Sequence, residues 1–247
     1  MKILGIIPAR FASTRFPGKP LAIIAGTSMI ERVYMQAKKA TSLTDIAVAT
    51  DDDRIFNHVK GFGGHVVMTS PLHNTGTERC LEACRQLSLH NTYDVVVNIQ
   101  GDEPLIDPQQ IDRLALCFND KDTLIATLAK ALTDSEDKHN PNIVKVVTGK
   151  ANRALYFSRF PIPFVRDSSL PPPLCFKHLG LYAYRTAVLE ELCKLVSTPL
   201  EKAESLEQLR WLENGYPITV AITDTESLAV DVPDDIHKVE TYIKSLK

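Results

Sequence analysis

The sequence predicts an α/β fold built on a mainly parallel sheet, and three observations carry that prediction. Apolar runs at Ile3–Ile7 and Val95–Val97 lack the polar alternation of a one-sided strand and read as strands buried on both faces. Strand-like and helix-like segments alternate through the first half of the chain. Loops dense in charge follow directly on the strongest strands, where α/β proteins hold their ligands.

The elements follow in order. Ile3–Ile7 is the first strand, stopped by Pro8. Thr27–Ala40 carries Met29, Ile30, Val33 and Ala37 at helical spacing. Ile46–Thr50 is a short strand. The acids Asp51, Asp52 and Asp53 after it suggest a metal site, but a helix start is the stronger reading, because Asp caps free N–H groups. That helix runs to about Lys60 and ends at Gly61–Gly64. His65–Met68 is a third strand. Thr75–Arg79 opens a helix that ends near His90, with Thr77 as its N-cap. Tyr93–Ile99 is a buried strand rich in β-branched residues, and Asp107-Pro108 starts a helix to about Phe118.

After Asp120 the pattern changes. Leu124–Ala129, Ile143–Val147 and Ala154–Ser158 are strands with little helix between them. Pro161, Pro163, Pro171, Pro172 and Pro173 exclude an internal strand or a helix from their segment, which reads as an arm or lobe inserted in the body. Phe176–Tyr184 returns as a strand. Thr186–Val196 and Leu200–Asn214 are amphipathic helices, Ile218–Ile222 and Leu228–Val232 late strands, and Asp234–Leu246 a terminal helix capped by Pro233-Asp234.

With 247 residues, 44% of them hydrophobic, the chain fits one large α/β domain. Its net charge of −2 gives no reason to expect nucleic-acid or anionic-membrane binding. No apolar run approaches the ~20 residues of a membrane span, and a strand that begins at Ile3 leaves no room for a signal peptide before it. Five cysteines with no Cys-x-x-Cys pair point to a reduced, cytoplasmic protein without a zinc site. Cys80 and Cys84 read as small core residues on one helix face.

Two loops hold the chemistry. After the first strand, Arg10, Arg15 and Lys19 lie among the small residues Ala9, Ala12, Ser13 and Gly18. Small side chains let backbone N–H groups approach a ligand, and the cations supply charge, which describes a phosphate-binding turn. It is neither the Walker pattern nor Gly-x-Gly-x-x-Gly. After the Tyr93–Ile99 strand, Asp102 stands at a strand end, as does Asp231 much later; both can reach one edge of the sheet.

The loop Pro8-Ala9-Arg10-Phe11-Ala12-Ser13-Thr14-Arg15-Phe16-Pro17-Gly18-Lys19-Pro20 resembles the signature of the 3-deoxy-manno-octulosonate (Kdo) cytidylyltransferase, or CMP-Kdo synthetase, family. Further segments strengthen the resemblance in order along the chain: Thr75–Arg79, Asn98–Pro104, Asn142–Val147, Tyr156–Arg159, Lys177–Gly180, Leu206–Arg210 and Val230–Pro233. The resemblance implies a single nucleotidyltransferase-type, Rossmann-like domain over residues 1–247, its central sheet mixed and mainly parallel. A smaller lobe, inserted at about 130–185, would help form a homodimer and the sugar site. The family usually has Gln-Ser before the Gly of the Thr75–Arg79 segment, where this chain has Asn74-Thr75.

The reaction implied joins CTP and Kdo to give CMP-Kdo and pyrophosphate, by direct attack of the sugar hydroxyl on the α-phosphate, for lipopolysaccharide biosynthesis. Arg10, Lys19 and Asp102 would be catalytic. Pro8, Ala9, Arg10, Ser13, Lys19, Thr75, Gly76, Arg79 and Gln100 would bind the nucleotide. Arg159, His178, Tyr182, Glu207 and Gln208 would bind the sugar, with the Arg159 guanidinium pairing with its carboxylate. Taken from the residues alone, His178 reads as a hydrogen-bonded structural histidine, and Glu207 and Gln208 as a solvated helix face. Asp102 and Asp231 would hold Mg²⁺, which takes one or two protein carboxylates when it binds with a nucleoside triphosphate. A cytidylyltransferase acting on another acid sugar or on a methylerythritol phosphate is the nearest rival. A nucleotide-binding module that has lost catalysis would lack Lys19 or a metal carboxylate, and this chain keeps both.

Overall fold

The computed structural model describes residues 1–13, 15–89, 92–132, 138–167, 169 and 175–245. Thr14 of the cationic loop, Pro171–Pro173, and the helix ends expected at His90 and Leu246 lie outside the described residues.

Strand β1, Ile3–Ala9, alternates its side chains between two apolar clusters: Ile3, Ile7 and Ala9 on one face, Leu4 and Ile6 on the other. Two short strands, β2 (Ile23–Ile24) and β3 (Thr27–Ser28), precede helix α1, Met29–Ala37, whose first turn is capped by Ser28. The helix expected from Thr27 therefore starts two residues later. Strand β4, Asp45–Thr50, leads into α2, Asp53–Gly61, where Asp52 accepts from the Arg54 amide at 2.9 Å. β5 is Val66–Met68 and α3 is Gly76–Leu87. Thr75, not Thr77, caps α3, in a reciprocal capping box with Glu78. β6 (Val95–Asn98), α4 (Pro108–Leu116) and β7 (Ile125–Ala131) follow.

Strands β8 (Lys145–Thr148) and β9 (Ala154–Ser158) form an antiparallel pair that joins the main sheet through β10, Phe176–Arg185. β10 is itself a central strand, so the excursion from the sheet lies within residues 132–175 of the stretch expected as a lobe. The helix expected at Thr186–Val196 ends early: α5 is Thr186–Leu192. The single helix expected at Leu200–Asn214 is two, α6 (Pro199–Glu204) and α7 (Glu207–Glu213), divided where Ser205 takes φ 52°. β9 pins that break: Ser158 Oγ and the Arg159 amide both donate to the Glu204 carboxylate, at 2.6 and 2.9 Å.

β11 is Ile218–Ile222 and α8 is Asp235–Ser245. No strand forms at Leu228–Val232. The Val230 amide donates to the Asp102 carbonyl at 2.9 Å, and its own carbonyl accepts from Lys19 Nζ at 2.9 Å, so its backbone serves the loops instead of a ladder. Asp235 fixes the turn into α8 by accepting from the Asp231 and Val232 amides, in place of the expected Pro233-Asp234 cap.

The main sheet runs β11-β7-β10-β6-β1-β4-β5. β10 is antiparallel to both neighbours, and the other pairs along this path are parallel. Helices α1, α2 and α4 cover one face and α3, α5 and α7 the other. The chain goes outward from β1 through β4 to β5, then returns across β1 to β6. The strand order therefore reverses between β1 and β6, and the crevice beyond their carboxyl ends is where such sheets take ligands.

Candidate active site

The loops after β1 and β6 meet at that crevice, and a glycine lets them do so. A Cβ on Gly101 would lie 2.7 Å from the Pro8 carbonyl oxygen, closer than any side chain tolerates. Gly18 turns the cationic loop with φ 72° and donates its amide to the Phe11 carbonyl at 2.9 Å.

Lys19 is the hub. Its ammonium lies 2.9 Å from Asp102, 2.9 Å from the Val230 carbonyl and 3.9 Å from Asp231, which Arg15 holds at 3.0 Å. Two carboxylates 129 positions apart in sequence thus share one cation. A pair of hard oxygen donors that one cation can bridge fits Mg²⁺ bound with a triphosphate, whose phosphates and waters complete the octahedron. Among the described residues no three His, Cys, Asp or Glu side chains form a self-sufficient metal cluster.

Arg10 reaches from the same loop to the His73 carbonyl, with the donor and oxygen 2.5 Å apart. Burial lowers its pKa, and the like charge of Arg79 lowers it further, against Asp51 and Glu78. Such a guanidinium favours an incoming anion. Pro8, Ala9, Arg10, Ser13, Lys19, Gln100 and Asp102 line one cavity of about 380 Å³. A second, of about 190 Å³, shares Pro8, Gln100 and Gly101 with it, and adds Gly76 and Thr77 from the first turn of α3, Tyr182, Glu207 and Gln208. Helix N-termini present unpaired N–H groups to ligands, so this wall suits polar ones. Thr75 uses its side chain for the cap, accepting from the Glu78 amide at 3.2 Å.

Glu207 and Gln208 turn inward instead of lying on a solvated face. Thr77 Oγ1 donates to Glu207 at 2.8 Å, and burial raises the carboxyl pKa. Gln100 ties the two cavities to β10, donating Nε2 to the Gly180 carbonyl at 2.7 Å.

Arg79, Arg159 and His178, like Thr75, line neither of these two cavities. Arg79 is fully buried, paired with Asp51 at 2.7 Å and donating to Thr69 at 2.5 Å, and so braces α3 against the loops after β4 and β5, with its Nε–H left without a partner among the described residues. Arg159 gives its guanidinium to main-chain carbonyls: Glu204 at 2.7 Å, Pro141 at 2.9 Å and Ser205 at 3.4 Å. Three of its five N–H donors thus staple the α6–α7 junction. His178 packs edge-on against Phe157 at 5.0 Å and lies 3.0 Å from the Thr127 hydroxyl. That hydroxyl also lies 2.9 Å from the Leu181 carbonyl, and burial holds the His178 pKa down at about 3. This neutral histidine supports Tyr182, whose ring is 5.3 Å away.

The structure adds residues that sequence reasoning passed over. Asn98, Tyr184 and Trp211 line the smaller cavity. Asn98 is the one polar side chain in an apolar run, and Tyr184 lies two residues beyond Tyr182 on the same strand; both signals were available. Glu103 faces a separate cavity of about 250 Å³ with Lys177, Glu226 and Ser227, its pKa pushed up to about 8 by burial first and by Asp102 second.

The family model described as Cytidylyltransferase matches residues 4–224. A 3-deoxy-manno-octulosonate cytidylyltransferase of Parabacteroides distasonis is 53% identical over 251 residues, spanning 98% of this chain and 98% of its own. One of Bacteroides thetaiotaomicron is 53% identical over 252 residues, spanning 99% of both. Among solved structures, CMP:2-keto-3-deoxy-manno-octonic acid synthetase complexed with CTP matches with a TM-score of 0.93 and 37% identity over 100% of each chain.

Proposed function

The chain belongs to the cytidylyltransferase family, and from that premise we propose that it is a 3-deoxy-manno-octulosonate cytidylyltransferase, which converts CTP and Kdo to CMP-Kdo and pyrophosphate. The observation that carries the reading is the meeting of Arg10, Lys19, Asp102 and Asp231 at the crevice between β1 and β6. A triphosphate needs clustered cations, and its usual counter-ion needs the two carboxylates.

A hydroxyl of Kdo attacks the α-phosphorus of CTP. The bond from that phosphorus to the bridging oxygen breaks, pyrophosphate departs, and the hydroxyl proton passes to solvent. Little covalent work falls to the protein; positioning and charge neutralisation carry the step. Arg10 and Lys19 hold the triphosphate and offset the charge that gathers on the leaving pyrophosphate. To do so Lys19 exchanges its bridge to Asp102 for phosphate oxygens. Asp102 and Asp231 would then hold Mg²⁺, which supplies positive charge to the phosphates when bound. Gly76 and Gln100 face the nucleotide, while Tyr182, Glu207 and Gln208 face the sugar across the smaller cavity.

The exposed Leu155, Phe160 and Phe164, all within residues 132–175, support a homodimer formed through that region. No helix among the described residues is long and apolar enough to cross a membrane. CTP is a nucleotide of the cytoplasm, which supports action there on the way to lipopolysaccharide. The test is pyrophosphate release measured across the four nucleoside triphosphates and a set of acid sugars, with and without Mg²⁺. CTP with Kdo and Mg²⁺ is expected to give the high rate. Equal turnover of UTP with a neutral sugar phosphate, and none with CTP and Kdo, would remove the reading.

A further inference from the structure

Strand β10 presents a second phenol to the smaller cavity. Tyr182 and Tyr184, two residues apart, share one face of the strand. Their rings stack with centroids 6.1 Å apart and planes 12° from parallel, and both meet Trp211 edge-on, at 5.1 and 5.6 Å. Trp211 thereby fixes both rings, and both line the cavity beside Asn98, Thr77 and Glu207.

Tyr184 is 0% exposed and Tyr182 7%, and neither hydroxyl makes a well-formed hydrogen bond among the described residues, Thr127 beside Tyr182 and Thr77 beside Tyr184 offering only weaker contacts. Thr77, which lies close enough to influence the ionisation of Tyr184, gives its own proton to Glu207 at 2.8 Å. A phenylalanine would fill the same space without burying a hydroxyl. Native interiors rarely leave such a group unmatched, so each exception calls for a reason. Burial pushes both phenols up in pKa, so each stays an O–H that both donates and accepts. A polyhydroxylated ligand answers that pairing; Gly76 and Gln100 of the same cavity face the nucleotide, while Tyr184 stands on the β10 side with Tyr182, where the sugar is placed.

We propose that Tyr184 is a substrate-binding residue, whose hydroxyl closes the floor of the smaller cavity by hydrogen-bonding a hydroxyl group of the acid sugar next to Tyr182. This rests on the reading of the chain as a Kdo cytidylyltransferase. It adds a specificity element: the floor selects a sugar with a hydroxyl at the matching position over one lacking it, since the analogue leaves a buried phenol unpaired.

The test is Tyr184→Phe, measured for KM of each substrate, kcat and Tm. The KM for Kdo should rise about three- to ten-fold, the loss of one neutral hydrogen bond. The KM for CTP should stay within two-fold of wild type, and Tm should hold or rise. An unchanged KM for Kdo with a raised Tm would mean that the hydroxyl is an unmatched core group, and would overturn the proposal. So would a lowered Tm with equal damage to both substrates. Kdo analogues each lacking one hydroxyl give a second measurement: one of them should bind worse than Kdo to wild type and no worse than Kdo to the variant, and the absence of any such analogue contradicts the assignment. A wild-type enzyme that releases no pyrophosphate from CTP and Kdo defeats the underlying reading and this inference with it. An active wild type with an unaffected variant defeats this inference alone.

Discussion

Replacing Arg159 by Met should damage the fold first and the chemistry second. The guanidinium makes two short bonds to main-chain carbonyls, 2.7 Å to Glu204 and 2.9 Å to Pro141, and a longer one of 3.4 Å to Ser205. A hydrogen bond involving a charged group contributes about 1.5–3 kcal/mol, less where water competes. The Glu204 carbonyl is the more buried acceptor and the Pro141 carbonyl an exposed one, so the two together come to about 2–3 kcal/mol. For a chain of this length each kcal/mol shifts Tm by about 2–4 °C, and the expected fall is about 5–10 °C. Met keeps most of the apolar stem, so lost packing adds little. Arg159→Lys keeps one of the bonds and should lose about half as much. Because Glu207 and Gln208 begin the helix after the stapled Ser205, loosening this junction should weaken Kdo. It should weaken CTP as well, since Glu207 also holds Thr77 at the start of α3. Differential scanning fluorimetry and steady-state kinetics on the two variants make the check. A variant that melts with wild type yet shows a ten-fold or greater rise in KM for Kdo alone would refute this reasoning and return Arg159 to the sugar.

Three further outcomes are expected. Asp102→Asn should melt near wild type and lose nearly all turnover even at saturating Mg²⁺, with Asp231→Asn following it; a folded Asp102→Asn enzyme of near-normal activity contradicts the role given to that carboxylate. Lys19→Ala should lower kcat by about 10²–10³-fold, the size of a lost charge-stabilising donor, with a smaller change in KM for CTP; a change confined to KM would mean uniform binding. Stability should depend on pH in two opposed windows. His178, folded with a pKa near 3, contributes stability above its usual value of 6.5 and loses it as pH falls, about 2 kcal/mol between pH 6.5 and 5. Glu103, folded with a pKa near 8, contributes stability below its usual 4.5 and loses it as pH rises toward 8. Melting curves of His178→Asn should flatten on the acid side and those of Glu103→Gln on the alkaline side; slopes that match wild type would contradict both shifts.

The sheet was legible because its information is local. A run such as Val95–Val97 is buried on both faces wherever it sits, and the charged loop after each strand falls at the ligand edge as a consequence of the fold. Asp102 and Lys19 stand in such loops. What the sequence leaves open is where long side chains go. Arg79 and Arg159 each stand in a segment suited to an anion, yet Asp51, Thr69 and the carbonyls at the α6–α7 junction take part of their donors. The outcome depends on which elements the tertiary fold brings alongside, and no local pattern records it. The late strand at Leu228–Val232 failed for a related reason: its apolar alternation is real, with Val230 buried against Ile24, Met29 and Val239, but the backbone bonds go to Asp102 and Lys19. Glu207 read as solvated because Thr77, its partner, lies 130 residues away.

The central claim is that the crevice beyond β1 and β6 joins the cytidylyl group of CTP to Kdo. Phosphorus NMR of a reaction containing wild-type enzyme, CTP, Kdo and Mg²⁺ follows both products at once. Pyrophosphate and a phosphodiester resonance of CMP-Kdo should appear in equal amounts as CTP disappears, with neither formed when Kdo is left out or UTP replaces CTP. Pyrophosphate accompanied by free CMP from the start, or equal conversion of UTP, would contradict the claim.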